Sequence, residues 1–296
     1  MKYTATRTIS LLAIRNRKGA YLNARKSDIR RNPFQSSMKE SKAMDRVVNQ
    51  TPFLFAIPLR SRAVSRDWKR VCNLLSRTLS SILGQTDQNF YVAVGCHELP
   101  ELTIPPDPHV VFLQTSAAIP TALAQQGEDK KRKRRLALAY LRTLGGGYFM
   151  PLDADDLVSQ RLVQYVRSNP PQFGYIMNKG YELDSQTGRV KYAPRFSKFC
   201  GSCAIFRFSA EDLPSSEADG KEYVADKFGD HIKWKEVGEK LKRPLSDLPI
   251  RGAMYVTNNG ENYSVLSGNV GWRRTILRRL TPARKPSSEL VAEFGL

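Results

Sequence analysis

Apolar positions along the chain fall into short blocks and helical stripes, separated by polar breaks rich in Gly and Pro. Phe53-Leu54-Phe55-Ala56-Ile57 is a continuous apolar run closed by Pro58, the pattern of a strand buried on both faces. After it Val64, Trp68, Val71, Leu74, Leu75, Leu79, Ile82 and Leu83 recur at three- and four-residue spacing. That stripe predicts a helix which Ser65 can cap and Gly84 can end. Phe90–Val94 and Val110–Leu113 predict two more strands. A second helix is expected from 129 to 144, burying Leu136, Leu141 and Leu144 and stopping at Gly145-Gly146-Gly147. Tyr148–Leu152 is the fourth strand. Strand, helix, strand, strand, helix, strand predicts an α/β fold with a mainly parallel sheet. The second half is less regular. It suggests a helix over 157–167, a strand at 175–177, a hairpin over 181–192 turning at 185–188, a strand at 203–207 and a helix over 226–241.

Charge adds a partner class to this picture. The 296 residues carry 47 Lys+Arg against 28 Asp+Glu, a formal net charge of +19. Such a balance calls for an anionic partner: nucleic acid, an acidic membrane face or a phosphorylated small molecule. The excess is uneven, at +9 over 1–50, +6 over 51–270 and +4 over 271–296. Residues 1–50 have the composition of a basic flexible arm or a transit peptide, or follow from a start placed too far upstream. In the tail, Trp272, Ile276 and Leu280 stand at four-residue spacing between arginines. That pattern suits either the interface of an anionic membrane or packing on the domain. No apolar run approaches the roughly 18 residues of a spanning helix. Four cysteines, Cys72, Cys96, Cys200 and Cys203, are too few for a disulfide scaffold in so long a chain. They suit a reducing cytoplasm and read as structural thiols, the lone Cys200-x-x-Cys203 lacking a second pair for zinc.

The densest chemistry is Leu152-Asp153-Ala154-Asp155-Asp156, where a buried strand stops and a helix is expected to start. In open α/β sheets ligands bind beyond the carboxyl ends of strands. Clustered carboxylates repel one another unless a cation is present, and hard oxygen ligands suit Mg²⁺ or Mn²⁺. The competing reading is that Asp155 and Asp156 simply cap the next helix.

Residues 51–212 resemble the family-2 inverting glycosyltransferases of the GT-A fold. The resemblance is carried by the first strand ending at Pro58, by Ser80-Ser81-Ile82-Leu83-Gly84-Gln85-Thr86 and Asn89–Val94, and above all by Gly147-Tyr148-Phe149-Met150-Pro151-Leu152-Asp153-Ala154-Asp155-Asp156. It implies a Rossmann-like sheet with helices on both faces, flanked here by basic terminal segments. A nucleotide-sugar-binding half would span 51–178, an acceptor-binding half 179–270 and an amphipathic tail 271–296. It implies a nucleotide-diphosphate sugar donor, a Mn²⁺ or Mg²⁺ cofactor, and a glycan, lipid or protein acceptor. Asp153 would lie near the donor ribose and Asp155 would coordinate the metal. Pro58, Arg60 and Arg62 would line the nucleotide pocket, and Lys130 and Arg134 would face the diphosphate. The family places an Asp after the second strand to read the base; Gly95-Cys96-His97-Glu98 stands there instead, leaving Glu98 as the substitute.

Inverting transfer needs a base for the acceptor hydroxyl. Phe228-Gly229-Asp230-His231 resembles the family's base segment, which makes Asp230 the candidate and Asp226, Glu222 and Asp212 the fallbacks; His231 reads as a helix-surface residue. Gly201-Ser202 resembles an acceptor-side loop, and Asn258–Ser264 a late loop closing over the diphosphate. Two rival readings stand beside this one. A nucleic-acid-binding basic protein is disfavoured by the absence of zinc-finger, RNP-like or helix-turn-helix signatures, and a catalytically silent GT-A-fold protein by the intact Asp-x-Asp. The tail would associate such an enzyme with the cytoplasmic face of a membrane.

Overall fold

The computed structural model describes residues 51–262 and 282–296. The basic arm 1–50 and the Trp272–Leu280 stripe lie outside the described residues. β1 (Phe53–Pro58) is buried along nearly its whole length, as a continuous apolar run requires. α1 (Trp68–Leu83) follows it, then β2 (Tyr91–Cys96), β3 (Val110–Gln114), α2 (Gln126–Thr143) and β4 (Gly146–Pro151). β1, β2, β3 and β4 form one parallel block in the order β3-β2-β1-β4. The mainly parallel α/β sheet expected from the pattern is therefore present. The unit β1-α1-β2 extends this sheet one way and β3-α2-β4 the other; right-handed crossovers in opposite directions put α1 and α2 on opposite faces.

The second half completes the sheet and builds another. β5 (Leu157–Val158), α3 (Leu162–Ser168) and β6 (Gly174–Ile176) come first, followed by the hairpin β7 (Lys179–Asp184) and β8 (Val190–Pro194) and by β9 (Ala204–Ser209). After α4 (Trp234–Lys240) come β10 (Ser246–Asp247), β11 (Ala253–Thr257) and α5 (Ser288–Phe294). β9 pairs antiparallel with β4 and β6, and β10 runs parallel to β6, giving a seven-stranded sheet. The order β5-β11-β7-β8 makes the smaller sheet, with Phe294 closing a separate cluster of Leu157, Leu183, Met254 and Val256.

Three local expectations are corrected. Asp67, not Ser65, caps α1 by accepting the Arg70 N–H at 3.0 Å, while Ser65 Oγ donates to the Ser61 carbonyl. Leu157 and Val158 are a strand rather than a helix start, because they pair with Met254 and Ala253 of β11; the helix begins at Leu162. Of the helix expected over 226–241, only Trp234–Lys240 is α-helical. Gly229 and an extended Asp230 interrupt it, Asp230 accepting the Ile232 N–H at 3.2 Å. Among the described residues no helix is long and apolar enough to cross a membrane.

Candidate active site

β1 and β4 lie side by side, and between them the sheet changes its direction of growth, which opens a crevice at their carboxyl ends. A cavity of about 280 Å³ occupies that position, with Pro58, Arg60, Lys130, Asp153, Asp155 and His231 in its wall. Arg62, Glu98, Arg134 and Asp230 stand outside that wall.

The three carboxylates after β4 have different surroundings. Asp156 is fully buried and no helix follows it, so the capping reading fails. Its Oδ2 accepts from Ser202 Oγ at 2.6 Å and Cys200 Sγ at 3.3 Å, and its Oδ1 from the Val256 N–H at 3.1 Å. Burial, then the neighbouring Asp155 and Asp153, push its pKa well above the usual carboxylate range. Asp156 thus ties the Cys200–Cys203 loop and β11 to the end of β4. Both thiols of that loop are buried and raised by burial, consistent with structural cysteines.

Asp155 faces the cavity. Its Oδ2 accepts from Asn259 Nδ2 at 2.6 Å and Asn262 Nδ2 at 3.0 Å, which fixes the rotation of the carboxylate. Burial and the charge of Asp153 raise its pKa to about 6. Asp153 lies beside cations from α2, where Lys130 and Arg134 share a face at i, i+4 spacing. Lys130 Nζ is 2.6 Å and Arg134 Nη2 3.7 Å from Asp153 Oδ1. Burial works to raise the Asp153 pKa, but these two cations outweigh it and hold the carboxyl below its ordinary value.

The far wall is the turn after β11. Glu261 accepts from Arg60 Nη1 at 2.6 Å and from the Asp67 N–H at 2.8 Å, and Arg70 donates to the Asn259 carbonyl. The late loop is thereby fastened to the end of β1 and the start of α1. Glu98 receives Ser61 Oγ at 2.9 Å and the Arg62 N–H at 3.2 Å, so it braces the loop after β1.

Beside that loop is a cluster absent from the sequence reading. His97 Nε2 lies 2.7 Å from Asp129 Oδ1, and Lys133 Nζ lies 2.6 Å from Asp129 Oδ2 and 2.7 Å from the Leu59 carbonyl. Burial lowers the Lys133 pKa against the pull of Asp129. A Cβ on Gly95 would come within 2.9 Å of the Lys133 Cβ, so the glycine lets α2 approach β2 this closely. The legible signal was Asp129 and Lys133 at i, i+4. Of the basic run 130–135, Lys130 and Arg134 reach Asp153, Lys133 is interior, and Arg135 pairs with Asp226 at 2.8 Å. Asp212 is held by both terminal nitrogens of Arg243, each at 2.8 Å, and Glu222 is 3.9 Å from Lys227.

His231 departs from the helix-surface expectation. It sits in a 3-10 turn with its side chain 26% exposed, against 58% for Asp230, and it lines the cavity. Its Nδ1 is 3.1 Å from Asp230 Oδ1.

For a divalent cation the donor set fits in a limited way. Among the described residues no three His, Cys, Asp or Glu side chains converge on one point, so no all-protein cage exists. Mg²⁺, however, is commonly held by one or two carboxylates, with substrate phosphates and water completing the octahedron. Asp155, facing the cavity with its carboxylate fixed by Asn259 and Asn262, has the chemistry to supply one such oxygen.

No protein-family profile and no curated protein matches the chain. Among the solved structures that match is a protein of Desulfovibrio desulfuricans G20, described provisionally as a nucleotide-diphospho-sugar transferase. It is 13% identical, with a TM-score of 0.32, over 78% of this chain and 94% of the other.

Proposed function

We propose that the chain is a glycosyltransferase that uses a nucleotide-diphosphate sugar and a divalent cation and inverts the anomeric centre. One observation carries the reading: at the carboxyl edge where β1 meets β4, an enclosed carboxylate, Asp155, stands beside Asp153 and the paired cations Lys130 and Arg134. Both features, an oxygen able to bind a metal and fixed positive charge, suit a nucleoside diphosphate.

Asp155 would hold Mg²⁺ or Mn²⁺, and that ion would bind the diphosphate and stabilise it as a leaving group. Pro58 and Arg60 border the nucleotide, with Arg62 and Glu98 shaping the loop behind them. Asp153 takes the ribose side, Lys130 faces the phosphates, and Arg134 stands behind it beside Asp153. The turn containing Asp230 supplies the base on the acceptor side. The four buried free thiols accord with a cytoplasmic setting. Donor turnover measured with Mn²⁺ or Mg²⁺ should fall by about a hundredfold or more in Asp155→Ala. Equal metal-dependent turnover in both proteins would remove Asp155 from the site.

A further inference from the structure

The acceptor-side turn places two titratable groups in contact, and only one faces the cavity. Asp230 is more than half exposed and outside the cavity wall, and one of its carboxylate oxygens already accepts the Ile232 N–H. His231 lines the cavity, and its Nε2 is buried without a hydrogen-bond partner among the described residues. A buried polar atom left unpaired is rare and calls for a cause. Trp234 meets the imidazole edge-on, with ring centroids 6.1 Å apart, and helps to fix its plane. His231 Nδ1 lies 3.1 Å from Asp230 Oδ1, and a carboxylate at that distance favours the neutral tautomer with its hydrogen on Nδ1. That tautomer leaves a lone pair on the unpartnered Nε2 of a side chain in the cavity wall.

We infer that His231 is the catalytic base of the transfer and that Asp230 is its positioning residue. The inference rests on the glycosyltransferase reading above. In the step, the acceptor O–H gives its proton to His231 Nε2 while the oxygen forms its bond to the anomeric carbon. The bond from that carbon to the β-phosphate oxygen breaks, and its electron pair leaves with the nucleoside diphosphate. Attack opposite to departure inverts the centre. The imidazolium faces Asp230 through Nδ1–H and later loses the proton to solvent. Asp230 thus contributes orientation and charge at one remove from the reacting atoms.

The charges around the ring suit a base that starts neutral. Burial lowers the His231 pKa, Asp230 and Asp153 raise it, and Lys130 and Arg134 on α2 lower it, with a net shift downward. The ring is therefore uncharged at neutral pH.

The test uses the full chain with Mn²⁺ and a panel of UDP-glucose, UDP-galactose, UDP-N-acetylglucosamine and GDP-mannose, with water standing in for the acceptor. Calorimetry reads donor binding and nucleotide release reads turnover. His231→Asn and His231→Gln should bind the donor within about twofold of wild type and melt normally, yet release nucleotide about a hundredfold more slowly. Asp230→Asn keeps an N-cap side chain. It should lower turnover and move the acid limb of the rate profile to lower pH, together with the His231 imidazole resonance, which is resolvable because the chain has three histidines. Wild-type turnover in both His231 variants, or an unmoved acid limb in Asp230→Asn, would overturn this inference and leave the transferase reading standing. Failure of wild type to bind any of the four donors would overturn both.

Discussion

Asp155 is the residue at which stability and the proposed function oppose each other most directly. The folded protein holds its proton to about pH 6, whereas an unfolded aspartate titrates near ~4. Stability from this position is therefore full below about pH 4 and is lost as pH rises toward 6. Without divalent cations, Asp155→Asn should be more stable than wild type at pH 7 by roughly 2 kcal/mol, and the advantage should vanish at pH 4. Urea melts at the two pH values check this. A cation that binds Asp155 should raise the wild-type midpoint and leave the variant where it was.

At the scale of elements, Asp156 is the junction. It takes one hydrogen bond from the loop before β9 through Ser202, another from that loop through Cys200, and a third from β11 through Val256. Asp156→Ala would leave three buried donors without an acceptor and should cost about 3 kcal/mol or more. That loss would be visible as a lower urea midpoint. Ser202 Oγ also accepts the Asp153 N–H at 2.9 Å, so donor binding should weaken in the same variant.

The elements also mark where sequence pattern suffices. β1, α1, β2, β3, α2 and β4 were legible because each carries a full apolar block or stripe, and the Asp153–Asp156 cluster followed from the end of β4. β5, β10 and β11 were not read, because two of them are two-residue strands defined by partners far along the chain. β11 does offer the apolar run Ala253–Val256, yet its register comes from Tyr181–Asp184 of β7 and from Leu157 and Val158. Likewise Lys130 and Arg134 could be placed from helical spacing, whereas His231 could not. Its burial depends on a broken helix whose breakers, Gly229 and Asp230, are visible in the sequence, but whose packing against the cavity is not.

Across the whole molecule, the smaller sheet supports the site from behind. Phe294 of α5 is fully buried among Leu157, Leu183, Met254 and Val256, and Glu293 accepts from Ser159 Oγ at 2.6 Å. Phe294→Ala should destabilise the protein by about 3–4 kcal/mol. Because Leu157 follows Asp156 directly, donor affinity should also fall at temperatures well below the melting point, which calorimetry at graded temperatures would register. The Arg60–Glu261 pair has an older consequence, one that belongs to the birth of the chain. Its partners stand 201 positions apart. At ribosomal speeds of about 5–20 residues per second, roughly 10–40 seconds separate their synthesis. Through that interval the nascent chain has one wall of the cavity but not the wall opposite. The crevice beyond β1 and β4 thus gains its far wall only after Glu261 has been made, so any ligand that needs both walls must wait for it.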